Sequence, residues 1–122
     1  MKTPSDLQYT SHDEWVRREG AKATIGITDY AQDALGELVH VELPAVGKRV
    51  NRGDVVCEVE SVKAVAEVYA PISGVICAVN SALSNDAAAL NRDPYGSWIY
   101  QLDSVDDAGA ELLSADAYSA RH

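Results

Sequence analysis

The stretch whose reading decides the fold is Val55-Val56-Cys57-Glu58-Val59-Glu60-Ser61-Val62-Lys63-Ala64-Val65-Ala66-Glu67-Val68-Tyr69-Ala70-Pro71-Ile72-Ser73-Gly74. Its first part, Asp54 to Val62, alternates. Val55, Cys57 and Val59 point one way and Glu58 and Glu60 the other, the period-two pattern of a half-buried strand. Val65 to Ala70 is a second strand, with Ala64, Ala66, Val68 and Ala70 on one face and Glu67 and Tyr69 opposite. Pro71 to Gly74 reads as a turn. Val75 to Asn80 then forms a third strand, with Val75, Cys77 and Val79 sharing a face. Val55 to Ser61 also matches Val75 to Ser81. That similarity is either chance between Val-rich strands or two related β units around a pseudo-two-fold axis.

Lys63 joins the first two strands, flanked by Val62 and Ala64, with none of the Asn-Gly or Asp-Gly chemistry of a generic hairpin. It is the only basic residue between Arg52 and Arg92, a stretch that holds Asp54, Glu58, Glu60, Glu67 and Asp86. A lone lysine at a strand junction in an acidic field suits acylation by a modifying enzyme. The plainer reading is an exposed turn lysine loosely paired with Glu60 or Glu67, which contributes little energy.

Outward from this centre, Trp15 to Arg18 and Lys22 to Thr28 form a hairpin around Glu19-Gly20. Thr28 or Asp29 caps a short helix that ends at Leu35 before Gly36, with Tyr30, Ala31, Ala34 and Leu35 on its apolar face. A strand follows from Leu38 to Leu43, with Val39, Val41 and Leu43 on one face. Ser84 or Asn85 caps a helix through Leu90, Asn91 to Gly96 is a turn-rich connection, and Trp98 to Leu102 is a strand. From Ser104 onward the composition is helical in style, and Ser114 caps the last helix.

The 122 residues suffice for one domain with a real core. Ten Lys and Arg against nineteen Asp and Glu give a net charge of −9, which argues against nucleic-acid and anionic-lipid surfaces. Cys57 and Cys77 lie in apolar runs without CxxC spacing and read as free, buried thiols in a reducing compartment. No run approaches a membrane span, and Met1 to Asp6 resembles neither a signal nor a transit peptide, so the expected location is the cytoplasm.

Val59-Glu60-Ser61-Val62-Lys63-Ala64-Val65 and Val68-Tyr69-Ala70-Pro71-Ile72-Ser73-Gly74 together resemble the lipoate-attachment region of the glycine cleavage system H proteins. The blocks His12 to Val16, Ala23 to Gln32, Leu35 to Glu37, Val41 to Pro44, Asn91 to Gly96 and Trp98 are similar to that family's blocks, in its order. The resemblance spans essentially the whole chain. It implies a mainly β, lipoyl-type β-sandwich (a barrel-sandwich hybrid) with short flanking helices and a helical C-terminus. Residues 1–122 would form one carrier domain, with the attachment hairpin at about 55–80.

The same resemblance implies covalent lipoate on Lys63, within a motif of Glu60, Ser61, Val62 and Ala64. The arm would carry the aminomethyl group of glycine from a pyridoxal-phosphate glycine decarboxylase to a tetrahydrofolate-dependent aminomethyltransferase. Dihydrolipoamide dehydrogenase would reoxidise it, and a lipoate ligase or lipoyltransferase would attach it. The chain itself would be a monomeric carrier and not an enzyme. A cleft formed by His12, Glu14 and Glu67 would shelter the loaded arm by pairing a carboxylate with its ammonium and excluding water.

Two departures stand out. Asp13, with His12 before it, occupies the place of the family's His before Glu14-Trp15, and an aspartate lacks the imidazole donor. The connection between Gly96 and Trp98 is one residue short. A biotin carrier would flank its lysine with methionine, and the only Met is Met1. A 2-oxoacid dehydrogenase lipoyl domain would have an acid where Val62 stands. A small enzyme using Ser61, Lys63 or His40 would need a nucleophile–base motif that is missing. An H-like lipoyl docking or ligase-relay protein is the remaining alternative.

Overall fold

The computed structural model describes residues 1–122. Nine strands form two antiparallel sheets around a shared core. The larger sheet contains β1 (Gln8–Tyr9), β2 (Glu14–Glu19), β3 (Lys22–Ile27), β5 (Arg49–Val50), β8 (Ser73–Val79) and β9 (Tyr100–Asp106), in the order β1-β2-β3-β9-β8-β5. The smaller sheet contains β4 (Leu38–Glu42), β6 (Val55–Ser61) and β7 (Val65–Tyr69), in the order β4-β6-β7. Ile25, Ile76 and Leu102 from the first sheet meet Val41, Val59 and Val68 from the second, all buried. Each such side chain contributes about 1.5–3 kcal/mol through loss of apolar contact with water.

The hairpin β2–β3 forms where the alternation places it, and Trp15 pairs across it with Gly26. A Cβ on Gly26 would lie 2.6 Å from the indole, so only glycine lets the ring lie flat on the neighbouring strand. The Trp15 indole N–H donates to the Pro94 carbonyl at 3.0 Å. This bond ties the short 93–98 connection to the sheet, and the Asp93 carboxylate receives the Gly96 N–H within that loop.

Helix α1 (Asp29–Leu35) starts on Thr28, whose hydroxyl accepts the Ala31 N–H at 3.2 Å, and stops at Gly36 with φ of 79°. Its face is narrower than the sequence suggests. Ala31 and Leu35 pack on the main core and Tyr30 on a second cluster, while Ala34 is exposed. On β4 a register shift between Leu38 and His40 breaks the alternation, so Leu38 and Val41 are buried and Val39 is turned to solvent. A similar shift after Val55 leaves that residue exposed while Cys57 and Val59 point inward.

Ile72, read as part of a turn, is fully buried, and β8 starts one residue later. The inward residues of β8 are Gly74 and Ile76, with Val75 and Cys77 only half-buried. The match between the Val55 and Val75 segments therefore aligns inward Cys57 with half-buried Cys77, and partly covered Val56 with buried Ile76. The two segments lie in different sheets but are not equivalent face for face.

The C-terminal third differs most. A 3-10 turn at Ser81–Ser84 and the short helix α2 (Ala89–Arg92), which has no side-chain cap, replace the helix expected from Ser84 or Asn85. Strand β9 starts at Tyr100 and continues through Ser104 to Asp106, because β8 offers it partners as far as Ser73↔Asp106. Only α3 (Ala115–Ser119) is helical there, with the Ser114 hydroxyl accepting the Ala117 N–H. No helix is long and apolar enough to cross a membrane.

Candidate functional site

Lys63 lies at the tip of the β6–β7 hairpin, beyond the last ladder pair Glu60↔Val65. Buried Ser61 organises the tip. Its N–H donates to the Ala64 carbonyl at 2.8 Å. Its hydroxyl oxygen accepts the Lys63 N–H at 3.2 Å and the Ala64 N–H at 3.0 Å. The Val62 N–H donates to the Glu37 carbonyl at 3.2 Å, which fastens the tip to the segment after α1. Every backbone N–H from Ser61 to Ala64 is thus satisfied, and the turn needs no left-handed residue. A serine hydroxyl replaces the usual glycine chemistry, which explains how an apolar-flanked lysine can occupy a rigid turn.

The lysine ammonium forms no ion pair. The three pairs in the structure are Arg18–Asp107, Arg92–Asp86 and His122–Asp13. The loose pairing with Glu60 or Glu67 is absent. The chain of Lys63 passes over Gly36, where a Cβ would come within 3.6 Å of its Cε. Val62 and Val65 beside it are 70% and 58% exposed, so the tip presents an amine framed by apolar groups. An amine that is exposed, unpaired and rigidly presented fits the demands of amide formation with a carboxylic acid cofactor.

At the far end of β7 lies a cavity of about 90 Å³, lined among others by Thr10, His12, Glu14, Arg52, Tyr69 and Glu111. That volume admits several water molecules or a small amine. Glu14 is 1% exposed. One of its oxygens accepts the Thr10 hydroxyl at 2.6 Å and the other the Tyr69 N–H at 3.0 Å. Burial outweighs these two bonds and pushes its carboxyl up to about 7, with nearby Asp13 adding to the rise. A buried carboxylate facing a small polar cavity can pair with a cationic group that replaces its lost water.

Of the three expected cleft residues, the structure brings His12 and Glu14 to the cavity wall. Glu67 stands off the wall and accepts the Tyr69 hydroxyl at 3.2 Å, while the His12 and Tyr69 rings lie 4.5 Å apart. Thr10, Tyr69, Arg52 and Glu111 were not legible as site residues. Tyr69 alternates outward on β7, but the role of its N–H depends on a residue 55 positions away. Asp13, the departure from the family pattern, acts as an acceptor. Its Oδ1 receives the Tyr118 hydroxyl at 2.7 Å and lies 3.2 Å from the His122 imidazole.

The sequence profile of the glycine cleavage H-protein family matches residues 7–122. The chain belongs to this family. It is 50% identical over 121 residues to a probable glycine cleavage system H protein of Thermococcus gammatolerans, covering 97% of this chain and 90% of that one. With the glycine cleavage system H protein of Burkholderia ambifaria it shares 47% identity over 117 residues, covering 94% and 93%. The crystal structure of a glycine cleavage system H protein from Mycobacterium marinum superimposes with a TM-score of 0.88 at 40% identity, covering 97% of both chains. The mainly β architecture is therefore that of the H proteins, and the chain is a lipoyl carrier of glycine cleavage rather than an enzyme.

Proposed function

We propose that Lys63 is the lipoylated residue and that the Glu14 cavity receives the cargo amine when the loaded arm folds back along β7. The presentation of Lys63 carries this reading: a tip with every N–H bonded and an ammonium with no partner. Lipoate amide-linked there would supply the dithiolane sulfur that accepts and releases the aminomethyl group. Modification also removes the one positive charge between Arg52 and Arg92, leaving −10 by formal count, the −9 of the chain less the Lys63 charge.

Val65, Glu67 and Tyr69 form the outer side of β7, so an arm lying along it runs from the hairpin tip to the cavity over roughly 20 Å of strand. At the cavity, Glu14 as a carboxylate pairs with an ammonium while Thr10 and the Tyr69 N–H hold its two oxygens in place. The His12 and Tyr69 rings narrow the mouth and limit water access. Glu60, Ser61, Val62 and Ala64 form the motif a ligase or lipoyltransferase reads, with Ser61 fixing its shape.

The partners in this reading are a pyridoxal-phosphate glycine decarboxylase, a tetrahydrofolate-dependent aminomethyltransferase and dihydrolipoamide dehydrogenase. The test is exchange of labelled bicarbonate into glycine by the decarboxylase in the presence of this protein after lipoylation. Exchange supported by the wild-type chain and lost in Lys63→Arg is the expected result. Exchange lost in both would favour a docking or ligase-relay role.

A further inference from the structure

Asp13 has φ of 66°, the left-handed region that costs a non-glycine residue free energy unless its surroundings hold it there. Its surroundings do. The Asp13 N–H donates to the Thr10 carbonyl at 3.2 Å, and its carbonyl accepts the Thr28 N–H at 3.0 Å. Its side chain is held from a distant element. The Tyr118 hydroxyl on α3 donates to Asp13 Oδ1 at 2.7 Å, and the His122 imidazole reaches the same oxygen at 3.2 Å.

Both donors are themselves fixed. Tyr118 is buried, stacks on Tyr9 at 4.7 Å and lies edge-on to Tyr30. Because its one hydroxyl proton goes to Asp13, the 2.7 Å contact with Thr28 Oγ1 is a bond donated by Thr28. Thr28 in turn caps α1. His122 lies flat on Tyr30 at 3.9 Å. A continuous chain of bonds therefore runs from the start of α1 through Thr28 and Tyr118 to Asp13, the residue immediately before Glu14. Glu14 is itself tied to Thr10: its N–H donates to Thr10 Oγ1 at 3.2 Å, its carbonyl accepts the Thr10 N–H at 3.0 Å, and it pairs with Ile27 of β3. Within that frame the side-chain grip on Asp13 is what holds the left-handed residue, and its loss lets the bend relax and shift the Glu14 carboxylate relative to Tyr69.

We propose that Tyr118 and His122 are positioning residues for the carrier function: by gripping Asp13 they hold the bend that keeps the Glu14 carboxylate inside the cleft. This rests on the reading of Glu14 as the cargo contact. The network supplies to an aspartate the donors that the departure from the family's His-Glu-Trp order would otherwise leave unmatched.

The charge state of Glu14 reports its position. Asp13 and His12 on its own segment, Arg52, Tyr69 and Glu111 around the cavity, and Cys57 and Tyr100 behind it are the titratable neighbours. Of these only Asp13 is touched by changes at 118 or 122, and its carboxylate raises Glu14, so loss of its donors alone does not lower the Glu14 midpoint. The experiment is a carbon-13 carboxyl NMR titration of the unmodified protein, with the Glu14 resonance assigned by Glu14→Gln. The wild-type midpoint should lie near 7. In Tyr118→Phe and His122→Ala it should fall by roughly one unit, because burial is the largest cause of the rise and release of the bend relieves it. His122→Gln, which keeps an N–H donor, should restore it.

An unchanged midpoint in both Tyr118→Phe and His122→Ala, alongside lowered melting temperatures, would overturn the proposal and reduce the network to packing. Should Tyr118→Phe not fold, His122→Ala decides alone, since that side chain lies at the surface. The titration needs no arm. Failure of the cargo reading is seen separately, as unchanged cargo retention in lipoylated Glu14→Gln.

Discussion

Replacing Glu14 with glutamine should make the protein more stable at alkaline pH and change nothing near pH 5. In the folded chain the Glu14 carboxyl titrates near 7, against 4.5 for the free group. Between those values the unfolded chain has released its proton while the folded chain still holds it. Stability therefore falls as pH rises through this window and levels off above it. The full shift is worth about 3 kcal/mol, of which about 1 kcal/mol is already lost at pH 5. Glutamine removes this penalty. It also presents one acceptor where Glu14 presents two, to the Thr10 hydroxyl and the Tyr69 N–H, at a cost of about 1 kcal/mol.

Gain and cost thus cancel at pH 5, and at pH 8 the variant should be ahead by about 2 kcal/mol. Urea denaturation of both proteins at the two pH values reads the difference, and in thermal melts at pH 8 it corresponds to an upward shift of about 8 °C. The change between pH 5 and pH 8 does not depend on the hydrogen-bond cost, so it isolates the charge. An offset between the proteins that is equal at both pH values would refute the reasoning and place the Glu14 carboxyl in water.

Other consequences concern the scaffold and the surface. Gly26→Ala should destabilise the chain by about 1–3 kcal/mol in urea denaturation, because the new methyl meets the Trp15 ring at 2.6 Å and the ring is bonded to Pro94. Glu42, Glu58 and Glu67 face one another in a row across β4, β6 and β7. Glu58→Gln should therefore stabilise by about 0.5 kcal/mol at low salt, a gain that disappears in concentrated sodium chloride. The same acidic face implies that the lipoylated protein binds the glycine decarboxylase through basic groups, so affinity measured by titration calorimetry should weaken as salt rises.

The centre of the fold was legible because β6 and β7 alternate cleanly and α1 carries both of its end signals, Thr28 and Gly36. The errors lie where tertiary pairing overrides local pattern. Val39 turns outward because a bulge, invisible in the sequence, shifts β4 by one position. The Asp- and Ser-rich run after Leu102 continues as a strand because β8 extends far enough to pair with it.

At the site, Lys63 stood out by position and charge alone, and Glu14, His12 and Glu67 entered through the family resemblance. What makes Glu14 unusual comes from its burial, and Asp13 is bonded by Tyr118 and His122, more than a hundred positions away. Such contacts leave no periodic trace in the chain.

The central claim is that this protein works through a lipoyl group on Lys63. Intact mass spectrometry after co-expression with an active lipoate ligase tests it most directly. The wild-type chain should gain one lipoyl mass, and Lys63→Arg should gain none while melting at the same temperature, since the ammonium forms no ion pair. An unchanged wild-type mass with a ligase that modifies a control acceptor, or an undiminished gain in Lys63→Arg, would contradict the account.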